Sequence, residues 1–129
     1  MASLVSSLSL VTTTSSAVDQ FFDRYAAALL ARDAETIAAL YAVPSLILFP
    51  GQSVAVSDPK QTASFFASSF AQYDGVDTID KAILTMGSGP STVWADVTWT
   101  YGGSAKEHFC YQLIDGPEGL QIAVLTLLD

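Results

Sequence analysis

The stretch AKEHFCY, residues 105–111, holds the only histidine and the only cysteine of the chain, with a glutamate beside them. These are the residue types of proton transfer and of thiol nucleophiles. Their spacing separates them. A strand alternates its faces, so Glu107, Phe109, Tyr111 and Leu113 share one side. Lys106, His108, Cys110, Gln112 and Ile114 share the other. The first set is the more apolar and is predicted to face inward, so Glu107 and His108 point apart. His108 and Cys110 share a face, which leaves a Cys–His nucleophilic pair conceivable. Thiolate activation needs the imidazole within hydrogen-bond reach and an electropositive setting. An acidic chain offers little of that, and the simpler expectation is a small buried thiol beside a solvent- or interface-facing histidine.

Glu107 is the more informative residue. A carboxylate on an inner face must take up a proton, pair, or meet a water-containing cavity, because burying it unpaired is costly. No Lys or Arg is predicted on the inner face. The partners left are a tyrosine hydroxyl, from Tyr25 or Tyr111, or water; the alternative is a wet strand end where Glu107 reaches solvent. Tyr25 sits in the middle of an apolar stripe, Val18, Phe21, Phe22, Tyr25, Ala26 and Leu29, with the spacing of a helix face.

Several elements must position these groups. Ser16 is a plausible N-cap for that first helix, with Asp19 in its first turn and Arg32 in its last. Asp33 caps a second, shorter helix with an apolar face of Ile37, Leu40 and Tyr41, ended by Pro44. Residues 45–49, SLILF, read as a buried strand; Pro50 and Gly51 turn the chain, and residues 54–56 pair back. Asp58 followed by Pro59 starts a third helix bearing Phe66, Phe70 and Tyr73, stopped by Asp74–Gly75. Residues 76–86, 91–101, 104–114 and 120–127, divided by GSGP, Gly102–Gly103 and DGPEG, read as an antiparallel meander. Helices followed by strands give an α+β fold with the helices on one face of the sheet. In the second of the four strands Val93, Ala95, Val97, Trp99 and Tyr101 form the inner face. The outer face carries Trp94 beside Asp96, Thr98 and Thr100. A sheet back of Trp94, Thr98, Cys110 and Ile114 suits a second subunit.

Composition narrows the function. The 129 residues suit a single domain, and half of them are hydrophobic. Five basic against 13 acidic residues give a net charge of −8, without the clustered Lys and Arg that nucleic acid or anionic membranes require. One cysteine allows no internal disulfide, one His with one Cys cannot build a usual zinc site, and no loop shows the acidic spacing of a hard-cation site; no metal is expected, nor any cofactor. The opening seventeen residues are rich in Ser and Thr and carry no charged side chain. They lack the basic region of a signal peptide and the arginines of a transit peptide, and are expected to form a flexible or loosely docked arm. The domain proper is residues 18–129. Its longest apolar run is too short for a bilayer and is broken by Pro44. A cytoplasmic protein is expected.

The segment DRYAAALLARDAETIAALYAVPSLILFPG, with the DPKQTASFF helix and the meander, resembles the NTF2-like superfamily, which includes SnoaL-like proteins and ketosteroid isomerases. The likeness spans residues 18–129. It implies a cone-shaped, cystatin-like fold in which three N-terminal helices pack in a curved antiparallel sheet, with a pocket at the open end and a dimer through the sheet back. By the same resemblance, DRY puts Tyr25 at the isomerases' oxyanion-hole tyrosine, and EHF puts Glu107 at the protonated acid beside it. The isomerases' general base would fall at Phe49, which cannot accept a proton. Three functions follow as expectations. The first is a pocket that binds a small, mostly apolar molecule with a carbonyl or hydroxyl, oriented by Tyr25 and Glu107 and walled by Phe22, Phe49, Phe66, Trp99 and Tyr111. The second is a SnoaL- or isomerase-like enzyme using Tyr25 and Glu107 as catalytic acid and oxyanion donors. The third is a non-catalytic dimerisation scaffold with a filled core.

Overall fold

The computed structural model describes residues 2–128, with side chains from Ser16 onward. Helix α1 runs Ala2–Leu30, so Ser16 lies within it and does not cap it. The arm expected over residues 1–17 falls, up to residue 15, outside the described side chains. From Val18 the expected stripe is buried. Val18, Phe21 and Phe22 are fully covered, and Tyr25 and Leu29 nearly so. Just past the helix, Arg32 takes a left-handed backbone, φ 54°. That conformation is uncommon outside glycine. Here it aims the guanidinium at the carbonyls of Leu29 and Leu30 and, across the fold, at those of Tyr73 and Val76.

Helix α2, Ala34–Ala39, starts on Asp33, whose carboxylate accepts from the Thr36 backbone N–H and hydroxyl. Those bonds hold the Asp33 carboxyl below its usual range. The helix ends earlier than expected. Tyr41 belongs to strand β1, Tyr41–Phe49, and Pro44 lies inside that strand instead of ending a helix. Pairing with β6 skips from Tyr41 to Leu46, and pairing with β2 begins at Ser45. Pro44 thus occupies an unpaired position where its missing N–H interrupts no ladder. Strand β2 is Gln52–Val56; Gly51, at φ 73°, supplies the backbone turn between them. Helix α3, Pro59–Ser69, carries a full capping box: the Asp58 side chain accepts from the Lys60 N–H, and Gln61 accepts from the Asp58 N–H. A short 3-10 turn, Phe70–Tyr73, follows, and Tyr73 still faces inward with Phe66.

Strands β3 (Ile79–Ser88), β4 (Thr92–Tyr101), β5 (Ala105–Gly116) and β6 (Gly119–Leu127) form the expected meander. The whole sheet has the order β2-β1-β6-β5-β4-β3. It is mixed, not wholly antiparallel, because β1 runs parallel to β6. The chain crosses through α3 to the far edge, and four antiparallel passes bring β6 back beside β1 in the same direction. The three helices and this curved, open sheet make an α+β fold. Alternation holds in β4, where every odd-numbered residue from Val93 to Tyr101 is buried. The β4–β5 register sets Trp99 opposite Glu107, Val97 opposite Phe109 and Ala95 opposite Tyr111. The inner face of the sheet and the α1 stripe together enclose one aromatic core.

Candidate functional site

Helix α1, the α3 turn and the inner faces of β4 and β5 leave a cavity of about 290 Å³ between them. Its walls are hydrocarbon and aromatic, including Leu29, Phe49, Phe66, Trp99, Phe109 and Tyr111. Exposed Gln52, Ser68 and Gln72 form a polar rim. Tyr25, Tyr73, Tyr101 and Glu107 are the polar groups of the walls. Six of the seven side chains expected at a site therefore meet here. The exception is Phe22, which does not line the cavity. It is fully buried behind the wall, edge-on to Tyr111 at 4.9 Å and to Trp99 at 6.1 Å.

The hydrogen bonds differ from those expected of the sequence. Tyr25 and Tyr41 share a buried hydroxyl pair at 2.7 Å. The Trp99 indole N–H donates to the Tyr111 hydroxyl at 2.8 Å. Glu107 Oε1 accepts from the Tyr73 hydroxyl at 3.0 Å, so its partner is neither Tyr25 nor Tyr111. Tyr73 lies against Tyr101, ring centroids 4.9 Å apart in an edge-to-face arrangement. The cause of the exchange is local. The 3-10 turn swings Tyr73 inward, while Tyr41, as the first residue of β1, faces Tyr25.

All five tyrosines of the chain thus converge on one region. Their protonation follows from it. Burial pushes Tyr25, Tyr41 and Tyr111 well above the usual phenol range. Tyr73 is raised by burial and then by the Glu107 charge. Tyr101 is raised by burial, then by Tyr73 and Glu107. Each is a neutral hydroxyl at physiological pH, able to donate and to accept. Within the Tyr25–Tyr41 pair one proton is used between the two oxygens and the other is free. Tyr25 lines the cavity and Tyr41 does not, so an arrangement with Tyr41 as the inner donor leaves the Tyr25 proton for a ligand oxygen. Glu107 supplies the complementary function, an acceptor.

Sequence reasoning missed Tyr41, Tyr73 and Tyr101 as polar members of this region. Tyr101 had a signal, since it continues the inner alternation of β4. Tyr41 depended on an element boundary, and Tyr73 stood on the expected inner face without a signal for its partner.

On the opposite side of the sheet, His108 Nε2 meets Asp96 Oδ1 at 2.6 Å. The imidazole is bound to a carboxylate and not to Cys110, whose thiol is raised by burial and then by Asp96. That setting works against a Cys–His nucleophile. Among the described residues no three His, Cys, Asp or Glu side chains cluster as metal ligands, and no helix is long and apolar enough to cross a membrane.

Comparison with known proteins bears on the fold. No curated protein matches the chain. Among solved structures, a domain of unknown function with a cystatin-like fold from Nostoc punctiforme shares 18% identity at a TM-score of 0.67, over 90% of this chain and 76% of that one. Aln2 from a Streptomyces species shares 16% identity at a TM-score of 0.67, over 90% of both chains. A candidate scytalone dehydratase from Novosphingobium aromaticivorans shares 10% identity at a TM-score of 0.68, over 95% of this chain and 86% of that one. At such identities the likeness is one of fold. Residues 15–126 match the family described as NTF2-like protein (DUF6841), and the chain belongs to that NTF2-like family.

Proposed function

We propose that the protein binds a small, mostly apolar molecule carrying a carbonyl or hydroxyl group in the cavity between α1 and the β4–β5 face. The observation that carries this reading is a hollow of about 290 Å³ with aromatic walls and a few convergent polar groups. Ligand sites have that composition, and their volumes start at about 300 Å³. Tyr25 donates to the ligand oxygen, Glu107 accepts from a ligand hydroxyl, and Phe49, Phe66, Trp99 and Tyr111 supply contact area. Phe49 supports binding over enolisation: it lines the cavity where the resemblance puts a base, and a phenyl ring accepts no proton. The hollow itself supports a ligand over the filled core of a scaffold.

Thermal unfolding with a panel of small aromatic ketones and alcohols tests this. A ligand at ten times its Kd stabilises the fold by about 1.4 kcal/mol. Ser69→Trp, which puts bulk at the cavity wall, is expected to remove that gain. No stabilisation by any member of the panel, or equal stabilisation of the variant, refutes the reading.

The sheet back is proposed to join two copies of the chain. Trp94 is 39% exposed there and Leu84, on the same face through its pairing with Asp96, is 64% exposed. Trp94→Glu is expected to turn a dimer into a monomer in sedimentation analysis. The lone cysteine fits a reducing compartment, and the cytoplasm is the proposed location.

A further inference from the structure

The charge inside the cavity is unbalanced. Among the described residues that line it, Glu107 is the only ionisable carboxyl and none is Lys, Arg or His. The guanidinium of Arg32, just past the end of α1, is spent on four backbone carbonyls. Glu107 accepts a hydrogen bond from Tyr73 at 3.0 Å, the Tyr101 hydroxyl lies within interaction range of it, and a carboxylate still has room for more. It is half-buried, so solvent can still reach it while the cavity is open. A ligand that fills the cavity removes that water. If the ligand is neutral, the carboxylate must either stay charged in aromatic surroundings with only tyrosine hydroxyls as donors or take up a proton, and each costs binding free energy. If it is an anion, two like charges are confined together. A ligand bearing a cation cancels the charge and replaces the lost water.

The walls suit a cation as well. Tyr73 and Tyr101 stand edge-to-face beside Glu107, and Trp99 lies directly opposite it in the sheet register. Aromatic faces attract ammonium groups, Trp and Tyr most strongly. The whole chain, at −8, draws cations toward it. We infer that the cavity selects small arylalkyl amines, with the protonated nitrogen held by Glu107, Tyr73 and Tyr101 and the aromatic body against Phe66, Trp99 and Tyr111. This rests on the cavity being a ligand site and adds a second polar anchor to it. Tyr25 remains free for a carbonyl or hydroxyl elsewhere on the ligand.

Three probes of one skeleton separate the possibilities: 2-phenylethylamine, 2-phenylethanol and phenylacetate, titrated calorimetrically into the wild-type protein and into Glu107→Gln. The amine is expected to bind about 10- to 100-fold more tightly than the alcohol, the range of one charge-assisted hydrogen bond, with phenylacetate weakest. In Glu107→Gln the amine is expected to fall to the level of the alcohol, whose own affinity changes only a few-fold and so reports an intact cavity. Alcohol binding equal to or tighter than amine binding in the wild type overturns the charge selection and leaves the cavity reading standing. So does an amine preference that survives Glu107→Gln. Failure of all three probes to bind overturns both. Should Glu107→Gln bind neither ligand, the wild-type ratio of amine to alcohol decides.

Discussion

Tyr25 and Tyr41 present a closed hydrogen-bond account that can be opened from either end. Their hydroxyls meet at 2.7 Å and each residue is only 2% exposed. Tyr25→Phe leaves the Tyr41 hydroxyl without a partner and away from the cavity. Tyr41→Phe leaves the Tyr25 hydroxyl on the cavity wall, where a water can replace the lost partner. A stranded buried hydroxyl costs about 1–3 kcal/mol. Tyr25→Phe is therefore expected near the top of that range and Tyr41→Phe near the bottom. Replacing both removes donor and acceptor together at almost unchanged shape, and the double variant is expected within about 1 kcal/mol of the parent. Urea unfolding followed by circular dichroism gives the four free energies of the cycle. For a domain of this size the Tyr25→Phe loss corresponds to a melting-point drop of roughly 6–15 °C. Two results refute the reasoning: a double variant that loses the sum of the single losses, and a Tyr41→Phe variant costlier than Tyr25→Phe. The first denies that the hydroxyls serve one another. The second denies that the cavity wets the Tyr25 side.

Other consequences are open to measurement. Arg32→Ala removes the guanidinium that ties the end of α1 to the Tyr73 turn and is expected to cost about 2 kcal/mol or more, read by chemical denaturation. Arg32→Gly relieves the φ of 54° and should cost less than Arg32→Ala, although both lose the same bonds. Cys110 should alkylate with iodoacetamide more slowly in the folded protein than in urea at the same pH, and faster as pH rises, because its thiol is pushed up. Equal rates folded and unfolded would contradict that. Tyr25, Tyr41 and Tyr111 hold their protons above the ordinary phenol value of 10.0. Below that value stability is unaffected by them. As pH climbs past it the unfolded chain sheds protons that the folded chain keeps, so stability must fall, with tyrosinate absorbance appearing together with unfolding. Tyrosinate that appears in a still-folded protein would show these hydroxyls to be accessible.

Periodicity and breakers made most of this architecture readable. The spacing of Val18, Phe21, Phe22, Tyr25 and Leu29 gave the buried face of α1, and the Asp58–Pro59 pair gave the start of α3. Alternation in β4 and β5 put Trp99, Glu107 and Tyr111 inward and His108 outward. Two things were hidden for physical reasons. Pro44 looks like a helix terminator because proline removes an N–H, but an unpaired strand position needs none, so the signal is ambiguous. The misplaced boundary then sent Tyr41 to a helix face. Tyr73 sits on the inward face that helical counting assigns to it, but counting along one helix does not say which strand residue its hydroxyl meets. The hydrogen-bond partners of Tyr25 and Glu107, Tyr41 and Tyr73, were therefore invisible although the residues themselves were not.

The position of β6 bears on how the chain is assembled. It is the last strand in sequence, yet it lies third in the sheet, wedged between β1 and β5. Until residues 119–127 arrive, the early hairpin and the later meander have no shared edge and stay two separate half-sheets. During synthesis residues 119–127 must therefore emerge before the aromatic hollow can close. A fragment that stops before residue 119 would expose two raw strand edges at once, an invitation to stick to other chains.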